Sequence, residues 1–304
     1  MKNKFCLLVL FVSFIILPSS VLAQKKGNQK KDIAIQLYSV RDRIGSFNTT
    51  TDNYKVDYTV ILKELAQMGY TGVEAAGYTD GNFYGRSPEQ FKKDVEGSGL
   101  KVLSSHLNKP LTDEELSSGN YSESLKWWDK CIADHKAAGM TYIVMPWLSV
   151  PKTVKDLKTY CEYFNEVGKR CRQNGMYFGY HNHTQEFEKV EDQVIMYDYM
   201  IENTNPEYVF FEMDVYWTVM GKNSPVDYFK KYPGRFKVLH IKDHREIGQS
   251  GMVGFDAIFN NAETAGVKNI VVEMEGATTT IEEGLKISVD YLIKAPFVKM
   301  SYNK

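Results

Sequence analysis

Cysteine is scarce in this chain, at four of 304 residues. Cys6 lies in an apolar leader, too early in the run to mark a lipid-attachment site. The other three, Cys131, Cys161 and Cys171, are an odd and sparse set, which excludes a disulfide framework. Cys161 and Cys171 fall on one expected helix, ~15 Å apart at 1.5 Å per residue, beyond bridging reach. All three read as small core residues. Neither sign of charge is in surplus, since the net charge is −1. That removes the electrostatic footprint of a nucleic-acid partner. No Gly-x-Gly-x-x-Gly fingerprint follows the first strand, which argues against a dinucleotide-binding sheet. A Gly-rich phosphate cradle backed by Arg is also lacking, and Gly248-Gln249-Ser250-Gly251 is only a weak anion signal. No linker, repeat array or low-complexity tract follows Lys31.

What is there begins with a leader. Lys2 and Lys4 precede an apolar run from Phe5 to Leu17, and Val21-Leu22-Ala23 follows. A positive start, a short apolar stretch and a small-residue site predict a secretory signal peptide over 1–23. The run falls short of the ~20 apolar residues of a membrane span. The protein is therefore expected to be exported, periplasmic or secreted, with no stable membrane insertion after cleavage. Residues 24–31 form a flexible polar leader, rich in Lys. About 270 residues remain, which suits one α/β barrel over 32–300.

Eight runs have strand length and strand composition. They are 33–37, 72–75, 101–106, 142–145, 177–181, 208–212, 236–240 and 269–273. Amphipathic helical stretches separate them. Leu125 to Ala138 and Val154 to Cys171 are long and stop at Gly139 and Gly175. Ser87-Pro88-Glu89-Gln90 predicts an N-cap with a capping box, and Ser224-Pro225 predicts another helix start. Phe255 to Ala265 and Ile281 to Leu292 complete the set. Repeated β-then-α alternation means parallel strands with crossover helices. The expected fold is a single-domain (β/α)8 TIM barrel.

Barrel enzymes build their sites at the C-terminal ends of the strands. Here those ends carry Gln36 and Tyr38, then Glu74, His106, Trp147, and His181-Asn182-His183. Asp214, His240 with Lys242, and Glu273 with Glu275 follow. Four of the six histidines occupy such ends. Imidazole and carboxylate together suit a divalent metal of the Zn, Mn, Fe or Co kind. Pairs two apart, such as His181 and His183, face one side of a continuing strand.

At these residues the chain resembles the xylose-isomerase-like barrel superfamily, which includes ketose 3-epimerases, inosose dehydratase and endonuclease IV. The resemblance rests on IQLYSVRD at 35–42, GYTGVEAAG at 69–77, SSH at 104–106 and YHNHTQEFE at 180–188. It continues in FEMDVYW at 211–217, VLHIKD at 238–243 and VVEME at 271–275. It implies one divalent ion (Mn, Co, Zn or Mg) held by His181, Asp214, His240 and Glu273. His181 departs from the family, which carries Glu there. Glu186 is the alternative fourth ligand. With His181 in that place, a symmetrical two-glutamate epimerisation is in doubt. The proton carriers are then sought among His183, Glu186, Glu275 and Glu273. His106, Lys242, Glu74, Trp147, Tyr38 and Trp217 are assigned to substrate. Endonuclease chemistry is disfavoured because Trp217 replaces the His of the D-x-x-H pattern.

The implied activity is isomerisation or epimerisation of a non-phosphorylated sugar or keto-sugar through an enediolate. Elimination from a keto-glycoside by a lyase or hydratase uses the same intermediate. A non-catalytic sugar-binding barrel is the third reading. The resemblance leaves room for a homo-oligomer, though no exposed apolar stripe in the sequence argues for one.

Overall fold

The computed structural model describes residues 30–45 and 58–303. The expected signal peptide and most of the polar leader lie outside the described residues. Eight parallel strands close into a barrel, each paired with the next in sequence and the last with the first. They are β1 Ala34–Gln36, β2 Gly72–Ala75, β3 Lys101–His106 and β4 Tyr142–Met145. β5 Tyr177–His181, β6 Val209–Asp214, β7 Phe236–Ile241 and β8 Asn269–Val272 follow. The main outer helices are α1 Tyr58–Met68, α2 Pro88–Gly97, α3 Ser122–Ala137 and α4 Val154–Gln173. α5 Met196–Asn203, α6 Pro225–Lys231, α7 Phe255–Asn260 and α8 Ile281–Lys294 complete the ring.

Two apolar cores result from the period-two alternation of the strands. The large one lies between strands and helices. The small one fills the lower barrel with Ala34, Tyr142, Val144, Phe210, Val238 and Val271. Gly179 makes this filling work, because a Cβ there would sit 2.5 Å from the Phe210 ring. One step further along the same inner faces, the residues change character to Gln36, Glu74, Ser104, Glu212 and His240, all buried. The barrel is thus greasy below and polar above.

The helix signals hold with two corrections. Ser87 and Ser224 accept hydrogen bonds from Gln90 N and Asp227 N, capping α2 and α6 as expected. Gln90 does not close a capping box; its amide donates to Asp94 Oδ1 at 2.6 Å. A charge-assisted bond to a carboxylate outcompetes reaching back to the chain start. The helix expected over 255–265 breaks at Asn261, whose side chain bonds back to Ala257 O at 2.8 Å. Such local side-chain bonds compete with the helix ladder. Two short hairpins follow β2 and β5, at Tyr78–Phe83 and Lys189–Ile195, and sequence periodicity did not reveal them. Cys131, Cys161 and Cys171 are free and buried, as expected.

Candidate metal centre

Strand register assembles the site. Asp214 and His240 are direct neighbours across β6 and β7. His181 and Glu212 are neighbours across β5 and β6. Glu273 follows the last residue of β8. Ligand atoms of His181, Asp214, His240 and Glu273 all lie within 4.8 Å of one another. These are the four residues singled out from the sequence. A second group, His106, His181, Glu212 and His240, meets the same distance.

The layer beneath orients the ring of His240. Its Nε2 lies 2.7 Å from Glu74 Oε1 and 3.3 Å from Glu212 Oε2. Glu74 is itself held by Gln36 Nε2 at 2.7 Å and Ser104 Oγ at 2.5 Å. The carboxylate on Nε2 fixes a ring nitrogen tautomer and leaves Nδ1 toward Glu273, 3.5 Å away. Carboxylate–histidine pairs of this kind set the orientation and basicity of metal-binding imidazoles. His106 Nε2 bridges Glu212 Oε2 at 2.6 Å and Glu74 Oε1 at 3.0 Å.

Burial and charge compete in this layer. Burial pushes Asp214 up to about 7, against the pull of Lys242 and His240. Burial and Glu74 also raise Glu212. Burial lowers His106 and His240, but Glu74 and Glu212 outweigh it, bringing His106 to about 9 and His240 well above its ordinary value. His181 goes the other way, held well below its ordinary value by burial and by the neighbouring imidazoles. Five ligand-type atoms of this cluster, His181 Nδ1, His183 Nδ1, Glu212 Oε1, Asp214 Oδ2 and His240 Nδ1, are buried without a well-formed hydrogen bond, although His181 Nδ1 lies 3.3 Å from Glu212 Oε2. Buried polar atoms are nearly always satisfied, so a converging orphan set calls for an explanation. A divalent cation bound by two imidazoles and two carboxylates fits it.

A cavity of about 380 Å³ opens above this group. His106, His181, His183, Glu273, Glu275, Tyr38 and Trp147 line it, as do Ala76, Asn108 and Pro146. Of the other residues expected against substrate, Glu74, Lys242 and Trp217 are not among those lining this cavity. Glu74 is fully buried in the polar layer. Lys242 is sunk between Glu273 Oε2 at 3.1 Å and Glu275 Oε1 at 2.7 Å, with Nζ 5.0 Å from the Trp217 ring. Trp217 backs His183 at 5.7 Å between ring centres. Glu186 belongs to neither ligand group. Its carboxylate accepts from Tyr180 Oη at 2.6 Å and from His183 N at 2.8 Å, so it anchors the His183 turn. That geometry gives it an anchoring part and sets it apart from the group of four ligand-type residues.

Sequence reasoning missed Glu212. A signal existed: it precedes Asp214 by two positions and so shares its inward face. Asn182 also matters, since its Oδ1 accepts from Asp214 N at 3.1 Å and ties β5 to β6.

A closed parallel barrel with an imidazole–carboxylate cluster at its C-terminal mouth defines the class. The sequence profile of the xylose isomerase-like TIM barrel matches residues 62–295, and the chain belongs to that family. A sugar phosphate isomerase/epimerase from Parabacteroides distasonis ATCC 8503 is 38% identical, with a TM-score of 0.77 over 88% of this chain and 100% of that one. An inosose dehydratase from Bacillus cereus (strain AH820) is 24% identical over 256 residues, 70% of this chain and 80% of its own. The IolI protein, solved with a bound zinc atom, shares the fold at 14% identity and a TM-score of 0.63, over 86% of this chain and 93% of its own. Among the described residues no helix is long and apolar enough to cross a membrane.

Proposed function

We propose that this protein is a divalent-metal-dependent isomerase or epimerase of a non-phosphorylated sugar or keto-sugar. The observation that carries this reading is the convergence of His181, Asp214, His240 and Glu273, whose ligand atoms lie within 4.8 Å of one another while His181 and Glu273 line the cavity. His181, Asp214, His240 and Glu273 would hold the ion. Zinc in the IolI protein supports this, as do the isomerase and epimerase names of the relatives. A bound cation would supply Lewis acidity, polarising a carbonyl oxygen and easing the enediolate charge.

The chain's own groups supply the rest. His183 is held down to about 4 by burial, so it stands at the cavity as a neutral imidazole. A neutral ring can accept a proton at one nitrogen while donating from the other. Glu275, on the loop after β8, reaches the same cavity while paired with Lys242. These two groups would take the proton from the carbon beside the carbonyl and return it to a carbon or oxygen. Burial would raise Glu273, but Lys242 and His240 outweigh it and hold its carboxyl well below the ordinary value.

A second reading, dehydration or elimination by the same site, is favoured by two observations. Curated relatives are inosose dehydratases. The proton-handling pair is also unlike, one imidazole and one carboxylate, which suits loss of a β-leaving group better than a mirror-image transfer. The N-terminal leader supports export, where free sugars rather than phosphorylated ones are met.

Incubation with Mn, Co, Zn or Mg and a keto-sugar panel in deuterated water tests these readings. Deuterium at the α-carbon of the equilibrated sugar is expected from isomerisation or epimerisation. Unsaturated product or a released aglycone would transfer the assignment to elimination. No turnover with any of these metals would leave only a sugar-binding barrel.

A further inference from the structure

A second cavity, about 470 Å³, adjoins the first. One wall is the segment after β3, from Asn108 to Ser117, and the other is the segment after β4, from Trp147 to Lys152. Asp156 and Tyr160 of α4 complete the lining. Asn108 and Trp147 line both cavities, so the two spaces meet along a shared edge. Trp147 is 46% exposed at that junction, whereas Trp128 is fully buried. Its ring packs edge-on to His183, 5.0 Å between centres, which fixes it beside the reacting end of the pocket.

The composition of the groove selects its occupant. Leu111, Leu116 and Val150 give apolar surface, and Ser117 and Ser149 give hydroxyls. Asp113 and Asp156 outnumber Lys152, so a phosphate or other anion would be repelled. Among the described residues none of these three charges is tied in an ion pair. Carboxylates free to accept, hydroxyls and an exposed indole are what a neutral, hydroxyl-rich ring with apolar C–H faces can use. Each space also lies within the ~300–1,000 Å³ of ordinary ligand pockets, so a single sugar at the metal group would leave the groove empty.

We infer that the substrate is a disaccharide or glycoside: the ring that reacts sits over the metal group, and a second sugar unit lies in the groove beyond Trp147. This rests on the sugar chemistry proposed above and names its substrate class.

The test compares a keto-monosaccharide with the disaccharide in which the same keto ring carries a second glucose unit, both on metal-loaded protein. The disaccharide is expected to show a kcat/KM higher by about tenfold or more, mostly through KM. Ser117→Trp, at an exposed position, and Leu116→Trp, at a half-buried one, are each expected to cut that preference by about tenfold. Thermal melting checks that each variant is folded, and Ser117→Trp decides if Leu116→Trp is not. Equal kcat/KM for the two sugars, or a preference that survives both folded variants, overturns the inference while leaving the sugar chemistry standing. Turnover of neither sugar with any metal overturns both together.

Discussion

At the scale of single residues, the site is a contest between burial and charge. Asp214 accepts Trp217 N on one oxygen at 2.8 Å and leaves the other bare. Its replacement by Ala should abolish metal binding, read as lost occupancy by elemental analysis. Full occupancy in Asp214→Ala would contradict the ligand set. His183→Ala should keep the metal and lose about 10²–10⁴ in kcat, the usual weight of a general acid–base group. Unchanged kcat would remove His183 from the proton path. Glu74 acts through His240, so it is a positioning residue. Glu74→Gln should weaken metal affinity by about 10–100-fold. Because Glu74 lies outside the cavity lining, KM measured at saturating metal should stay nearly constant. A large KM change with unchanged metal affinity would return Glu74 to the substrate wall.

Elements explain why so much of the fold could be read ahead. Buried parallel strands are continuous apolar runs, and 72–75, 101–106, 142–145 and 177–181 coincide with β2 to β5. The ends of β6 to β8 named Asp214, His240 and Glu273 because a barrel must bring strand ends together. Glu212 escaped because it looked like strand filling, and its partners His240, His181 and His106 lie about thirty to just over a hundred residues away in sequence. Glu74, Lys242 and Trp217 fall outside the cavity lining because sequence gives a strand position but not the depth of a side chain. The helices carry their own titration. His135 of α3 is fully buried, donates through Nδ1 to Cys131 O at 2.7 Å, and is held down to about 4 by burial against an ordinary 6.5. Below pH 6.5 the unfolded chain takes up a proton that the folded one refuses. The stabilisation is therefore complete above about pH 6.5 and is lost as pH falls toward 4, by about 3 kcal/mol at most. His135→Leu should flatten that part of the stability–pH curve relative to the parent protein, as followed by urea unfolding. Parallel curves for the two proteins would assign the slope to other groups.

On the scale of the whole molecule, metal and fold should be linked. A cation at 100 times its Kd raises stability by about 2.7 kcal/mol if it binds only the folded chain. A chelator should therefore lower Tm, and adding metal back should restore it; a Tm blind to both would speak against the proposed centre. The leader makes a separate prediction. Protein recovered outside the cytoplasm should begin at Gln24, checked by intact mass. A retained Met1 would mean an anchor instead. The packed lower barrel has a further consequence. Among the described residues Phe210 and its neighbours pack the bottom, and the cavity beside the reacting groups opens at the mouth. A substrate that fills the mouth corks that door. The proton lifted from carbon is then the one at hand to be put back. Isotope should consequently enter from solvent more slowly in a single turnover than the reaction itself proceeds, and catch up only as product leaves and the site rinses.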